Sequence, residues 1–500
     1  MKPKDDLFRL IKSLTQGEKR QLKLSASRGS QDKNYLQLFD AIDKQEEYDE
    51  QKIKKKFSGK TLARHLPSEK NYLQAGILKM LRNQPGENVQ QELMTSALEA
   101  EVLFSKGLFD LALEKAHKTF KEAEEYNYFG LAIDMLQKER TAFAWSNREY
   151  ALQRYESWEE DYDRLTEKLK NIGEFIKLGN RMSRITLRKG AMITPEQIEE
   201  CRRLTHTGVM EDVSKAKSPL AITTFYSFRL NYCSVSNDLK NGLLYAYKNV
   251  DFFFERPQEV KRAPNNFFGA MSTLITYLFA TNQLEEARER INQLSAYPHP
   301  FGFKVTPSTE QFKLRREIPL RMDLLIREGD EKLFKRDIQG IREILKKKKL
   351  GDDELHTAQA YFSLAQLFFI YGDYREAIKE FMRVSEYGSK ELSGDYKILS
   401  RILIVLAHIE KGTTDVALYL YKKYKLDKLK GTEKLLADFI CKTLPEVNSS
   451  RELVRVISGF KKIYTMQPEH YGIEHYFEFV TWMDSKLEGK TMGEVMRMRR

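Results

Sequence analysis

The sequence predicts an all-α fold, a solenoid-like series of stacked helical hairpins behind a small helical N-terminal module. Three observations carry that prediction. Only 13 Pro and 26 Gly occur in 500 residues, too few breakers for the many turns of a sandwich or propeller. Apolar residues recur three and four positions apart through most of the chain, the spacing of one helix face. Small residues at Gly242, Ala287, Ala377 and Ala417 lie 45, 90 and 40 positions apart, the mark of a repeated unit. At 58.7 kDa the chain exceeds what one compact core serves well, which also favours an elongated array. Its 25 Tyr and 29 Phe, with 41% hydrophobic residues, belong to a chain that folds.

Residues 1–85 form the first expected module. A helix carries Leu7, Leu10, Ile11 and Leu14, and Thr15 with Glu18 is the pattern of a capping box for the next. A third helix carries Tyr35, Leu36, Leu38, Phe39 and Ile42. A fourth, capped by Ser68, carries Tyr72, Leu73, Ile77, Leu78 and Leu81, and Pro85-Gly86 then breaks the pattern. The expected hairpin array runs over 86–445, with C-terminal capping helices and a basic tail over 446–500. Within the array, Asn147 to Lys170 contains neither Gly nor Pro, and its Tyr150, Leu152, Tyr155, Trp158, Tyr162 and Leu165 predict one long amphipathic helix.

The best copy of the repeat is Tyr361 to Tyr387. Tyr361, Leu364, Ala365 and Phe368 share one helix face, Gly372-Asp373 makes the turn, and Tyr374, Ala377, Phe381 and Val384 continue on a second helix. Gly372 supplies a reversal that other residues resist. Ala377 is small enough for neighbouring helices to approach, and Phe368 and Phe381 fill the space between hairpins. Looser copies hold Leu103, Gly107 and Ala112; Tyr226, Leu230, Cys233, Asn237, Leu239, Gly242 and Ala246; Leu274, Leu278, Asn282, Leu284, Ala287 and Ile291; and Val405, His408, Gly412, Ala417 and Tyr421. A weaker unit around Gly329 would fill the double gap between Ala287 and Ala377.

This pattern of a large residue, Leu-small, aromatic, turn glycine, aromatic, Ala and Phe resembles the tetratricopeptide repeat over roughly residues 90–440. The resemblance implies a right-handed α-solenoid and a protein-binding role. A step of 40–45 residues is longer than the ~34 of an ordinary array of this kind, which calls for extended helices. One subset of the family grips C-terminal carboxylates with Lys and Asn on the inner helices; the corresponding positions here hold Phe362 and Gln366, and in an earlier repeat Ser272 and Thr276, so that clamp does not carry over. Helix phase instead offers Asn231, Thr276 and Gln366 as the candidate partner groove.

The sequence shows no arrangement for catalysis. Gly59-Lys60-Thr61 and Gly489-Lys490-Thr491 are phosphate-loop fragments, but Lys54 and Asp484 stand where the first glycine belongs. His470 and His475 are five apart, which turns them away from each other on a helix, and a metal would want further ligands. Cys201, Cys233 and Cys441 have no paired spacing, so neither a disulfide framework nor a zinc knuckle is expected. Without a nucleophile elbow, zinc helix or dinucleotide loop, the expectation is a protein that is not an enzyme and needs no cofactor.

Charge is more informative. Residues 1–85 hold 14 Lys and 5 Arg against 6 Asp and 5 Glu, a surplus of eight within a chain whose net charge is +12. It centres on Lys52, Lys54, Lys55, Lys56, Lys60 and Arg64, a candidate basic patch that could lie against nucleic-acid phosphates or be a solvated face. The segment Ile53–Leu81, two apolar-periodic stretches around Ser58-Gly59, admits a helix-turn-helix reading. The Lys346–Lys349 run fits a helix C-terminus, where positive charge is favoured. Tyr297-Pro298-His299-Pro300-Phe301-Gly302-Phe303 reads as a packed aromatic connector or a binding loop.

Absence of an early apolar run and of ~18 consecutive apolar residues predicts neither a secretory signal nor a membrane span, and the cytoplasm is the expected compartment. The leading functional expectation is a non-catalytic scaffold that binds a peptide or partner protein on the solenoid surface, with no membrane partner. The alternative is a nucleic-acid-linked regulator that uses residues 1–85 on DNA or RNA while the array binds or senses a partner.

Overall fold

A computed structural model describes residues 6–26, 33–46, 48–82, 89–143, 145, 148–186, 194–303, 305–347, 354–386, 394–467, 473–474 and 476–499. Pro85-Gly86, Lys348, Lys349, Tyr387, His470 and His475 lie outside them, as do the side chains of Tyr150, Leu152 and Tyr155. Among the described residues every regular element is helical and no strand occurs. The chain divides into two compact units, Met1–Thr166 and Glu167–Arg500.

The first unit opens with α1 (Asp6–Ser13), α2 (Gln16–Ala26), α3 (Lys33–Asp43), α4 (Glu50–Lys56), α5 (Thr61–Arg64) and α6 (Leu66–Arg82). Leu7, Ile11, Leu22, Leu38, Phe39, Ile53, Phe57, Leu62, Leu73 and Ile77 close into one core. Thr15 and Glu18 form their reciprocal cap: the Thr15 N–H donates to the Glu18 carboxylate at 2.6 Å and the Glu18 N–H to Thr15 Oγ1 at 3.2 Å. The last helix begins at Leu66, ahead of the expected cap Ser68, because Pro67 tolerates the first turn. Its buried face is Leu66, Leu73, Ile77 and Met80, so Tyr72 and Leu78 point outward. The helix-turn-helix stretch is three helices, the middle one a single turn.

Next come α7 (Val89–Ser105), α8 (Phe109–Glu125), α9 (Phe129–Phe143) and α10 (Arg148–Thr186), with the boundary between the units falling inside the last. That helix is 39 residues long and continues past Lys170 through Gly173 and Gly179. Phe175 and Met182 are fully buried beside these glycines, so packing outweighs their helix-breaking tendency. Trp158 donates its indole N–H to the Leu136 carbonyl at 2.6 Å and stacks on Tyr162.

The second unit continues with α11 (Pro195–Thr205), α12 (Pro219–Val235), α13 (Leu239–Glu255), α14 (Pro257–Arg262), α15 (Pro264–Ala280), α16 (Leu284–Ser295), α17 (Pro307–Glu328), α18 (Glu331–Lys346), α19 (Glu354–Ile370), α20 (Tyr374–Glu386), α21 (Gly394–Glu410) and α22 (Thr414–Lys423). It closes with α23 (Gly431–Asp438), α24 (Ser450–Thr465), α25 (Phe479–Glu488) and α26 (Met492–Met498). Antiparallel pairs α12/α13, α15/α16, α17/α18, α19/α20 and α21/α22 follow one another, each packed on its neighbours. Four of the five leading helices have 17 residues and α17 has 22, which lengthens the unit.

One local device makes these turns. A residue with left-handed backbone stands at Asn237, Asn282, Gly329, Gly372 and Gly412, steps of 45, 47, 43 and 40 residues, and also at Gly107 and Asn127 in the first unit. Gly329 therefore supplies the turn of the unit missing between Ala287 and Ala377. In six of the seven turns the next N–H reaches back to the carbonyl five residues earlier, as Asp373 does to Phe368 and Gln283 to Leu278, at 2.7–3.1 Å. This satisfies carbonyls that a helix end leaves open, and Gly or Asn takes the conformation at least cost.

Five residues after each turn stands Ala112, Ala132, Gly242, Ala287, Ala377 or Ala417, all buried; only Phe334 breaks the series. At Gly242 the crowding comes from the next hairpin: an added Cβ would fall 2.5 Å from Tyr277 Cζ and 2.7 Å from its hydroxyl oxygen.

Candidate functional site

Within the second unit the leading helices α15, α17, α19 and α21 touch in series, a continuous row on which an extended guest could lie. The chain's own C-terminal segment already occupies much of it. Phe477 packs edge-on against Phe369 at 5.2 Å, Tyr476 against Tyr396 at 4.9 Å, and the Gln366 amide donates to the Tyr476 carbonyl. Trp482 donates its indole N–H to Glu410 at 2.8 Å, and Lys486 pairs with the same carboxylate. Further along, Gly493 lies so close to Gly329 that a Cβ on the latter would strike the Gly493 carbonyl. Phe477, Phe479, Trp482 and Met483 are all buried, so this cover is part of the core.

The three groove candidates therefore sit in different surroundings. Gln366 is half-buried and bonded to the C-terminal segment. Asn231 is half-buried and donates to Thr186 Oγ1 of α10 at 3.2 Å. Thr276 is exposed, its hydroxyl returning to the Ser272 carbonyl of its own helix. Beside it on α15 run Asn265, Gly269, Ser272, Thr273 and Ala280, all small or amide side chains at helical spacing and at least partly open to solvent.

The repeat residues are placed as packing groups. Gly107, Gly372 and Gly412 take positive φ at turns; Leu364, Ala365, Phe368 and Phe381 are buried in the core that also holds Ala377 and Ala417, with Tyr361 packed at its margin. The 297–303 loop packs inward: Tyr297 lies 5.0 Å edge-on to Phe268, and Phe301 sits between Phe254 and Phe303. It contains cis peptides before Pro298 and Pro300.

No group of three or more metal-ligating side chains gathers among the described residues. Burial pushes the Cys233 thiol up to about 11 and Cys441 to about 12, and raises Cys201, so all three stay protonated thiols at neutral pH. Burial likewise lowers His408, which lies 2.8 Å from Thr413 Oγ1 across its turn.

Sequence reasoning missed a charge network in the first unit. Glu139 is fully buried; His117 Nδ1 lies 2.5 Å from it and Arg154 3.3 Å from it, while Arg154 also pairs with Asp161, which pairs with Arg164, which reaches Glu124. The signal was present: Glu139 falls in the helical phase of Ala132, Met135, Leu136, Ala142 and Phe143, a core phase where a charge demands partners.

Compared with protein-family models and with curated proteins, the chain matches none. Its reading rests on its own geometry.

The basic patch lies on the first unit. Lys52, Lys54, Lys55, Lys56, Lys60 and Arg64 are all exposed, while Ile53, Phe57 and Leu62 between them are buried. Positive φ at Gly59 makes the turn between α4 and α5. Asp49 caps α4 by accepting the Lys52 N–H at 3.0 Å. No helix among the described residues is long and apolar enough to cross a membrane.

Proposed function

We propose that this protein is a non-catalytic interaction scaffold, a right-handed array of the tetratricopeptide kind that binds a peptide or partner protein on the face of its hairpins. The observation that supports this is the serial packing of hairpins, whose leading helices form a row that the C-terminal segment covers at one end and leaves open on α15. There Thr276, Ser272, Thr273 and Asn265 present hydroxyls and an amide, with only the small Gly269 and Ala280 beside them on the same helix face. A guest backbone can approach such a face closely and exchange hydrogen bonds with it. Covered residues such as Gln366 take no part in this reading; its amide already serves the fold.

The test has two stages. A partner is captured from the source cell and identified by mass spectrometry, and its affinity for purified parent, Thr276→Arg and Lys335→Glu proteins is then measured by calorimetry. Arg at position 276 should weaken binding at least tenfold, and the exposed Lys335 on α18 should not matter. Equal affinities for all three would remove α15 from the account.

A further inference from the structure

We propose that the cation face of α4, the Ser58–Lys60 turn and α5 binds the phosphate backbone of nucleic acid without reading its sequence. The observation is independent of the scaffold reading and lies in the other unit. Among the described residues, Lys55, Lys56, Lys60 and Arg64 have no ion-pair partner, and all four are exposed. The acids that open α4, Asp49 and Glu50, are already engaged. Asp49 faces Lys52 at 3.6 Å, and Glu50 binds Lys54 at 2.9 Å and Lys70 at 3.1 Å, which holds its carboxyl down at about 2. Asp40 and Asp43 pair with Lys23 and Lys19.

The four cations thus repel one another, and no ion pair among the described residues offsets them. Lys52, Lys55 and Lys56 share a face of α4 at i, i+3 and i+4, and Lys60 and Arg64 stand one turn apart beyond Gly59. Duplex nucleic acid, with one charge per ~1.7 Å of axis, is the dense polyanion that relieves such repulsion by releasing its own counterions. Exposed Ser58 and Thr61 hydroxyls stand between the cations, and hydroxyls with Lys and Arg are the usual donors to phosphate oxygens.

The apolar residues of this segment argue against a lipid surface. Ile53, Phe57 and Leu62 all face the core, and no large exposed hydrophobic side chain falls within 49–65, so nothing is available to insert among acyl chains. Phe57 instead anchors the turn, with the Lys56 and Lys60 ammonium groups each 5.7 Å from its ring. Two one-to-two-turn helices cannot fill a major groove, which is why the contact is with backbone and not with base edges.

The experiment titrates the full-length protein against a fluorescein-labelled 30-base-pair duplex at 50 and 200 mM NaCl, following anisotropy. About four phosphate contacts give a log–log salt slope near −3.6, so affinity should fall roughly 100-fold between the two salts. Lys55→Glu/Lys56→Glu/Lys60→Glu should abolish most binding, whereas Lys422→Glu/Lys423→Glu/Lys428→Glu, an equal charge change at exposed lysines of the second unit, should retain it. Circular dichroism melts establish that both triple variants are folded. No duplex binding at 50 mM, equal loss in the two variants, or tighter binding to phosphatidylserine vesicles or polyglutamate than to the duplex would each overturn the proposal.

Discussion

Replacing Gly242 by Ala is the sharpest test of how the hairpins stack. In an open helix this change stabilises by about 0.5–1 kcal/mol, because glycine loses more freedom on folding. Here the new methyl would overlap Tyr277 of the following hairpin, whose ring is buried and whose hydroxyl donates to the Leu230 carbonyl at 3.1 Å. Overpacking costs about 1–3 kcal/mol. If the ring moves away, the buried hydroxyl and carbonyl lose each other at about 1–3 kcal/mol more. After subtracting the propensity gain, the net cost is about 0–2.5 kcal/mol if the ring stays and about 1–5.5 kcal/mol if it moves.

Gly340, inside α18 with nothing within 4 Å of an added Cβ, is the internal control and should become slightly more stable as Ala. Urea unfolding followed by far-ultraviolet circular dichroism measures both. In a Tyr277→Leu background the Gly242→Ala cost should shrink by about 0.5–3 kcal/mol, the coupling expected of contacting side chains. If Gly242→Ala stabilises as much as Gly340→Ala, the two hairpins are not pressed together there and the reasoning fails.

Two further outcomes follow from buried charge. Arg154→Met leaves the Glu139 carboxylate fully buried with only His117 beside it, which should cost about 3–5 kcal/mol in urea unfolding; Arg154→Met/Glu139→Leu should recover most of that, and a mild single-variant effect would mean the network carries little. Burial raises the Glu474 carboxyl from its ordinary 4.5 to about 7, with the Tyr464 hydroxyl donating to it at 2.9 Å. The folded chain then holds this proton more tightly than the unfolded one, so the contribution to stability is greatest below about 4.5 and declines as pH rises to about 7, by ~3 kcal/mol at most. Thermal melts across pH 5–8 should show the decline in the parent and a flatter profile in Glu474→Gln; identical slopes would contradict the assignment.

The helical class and the hairpin turns were legible in the sequence because they depend on local chemistry. Gly372 and Gly412 announce left-handed turns, Thr15 and Glu18 announce a cap, and Ala377 announces a close approach. The Asn turns were harder to read, since Asn127 passed unnoticed although Ala132 follows it at the same offset as Ala112 follows Gly107.

What could not be read was contact between distant segments. Nothing local to Gln366 shows that Tyr476, 110 residues later, will take its amide. Nothing in the α10 sequence shows that Phe175 and Met182 will hold a helix together across two glycines. Within the candidate groove, helix phase could show which side chains leave the hairpin core, and Thr276 does. It could not show that α10 would cap Asn231 or that the segment around Tyr476 would take the Gln366 amide.

The central claim is that each hairpin of the second unit is held by its neighbours, with one buried core spanning residues 230–297 and Leu324 and another spanning 314–496. Ala377→Trp places a bulky ring in the second core and should cost at least ~1–3 kcal/mol. Native-state hydrogen exchange, read amide by amide, then tests the claim directly. Protection should fall in α19, α20 and α21 while amides of α12 and α13 keep theirs; an equal loss from α12 through α22 would show a single cooperative core and contradict it.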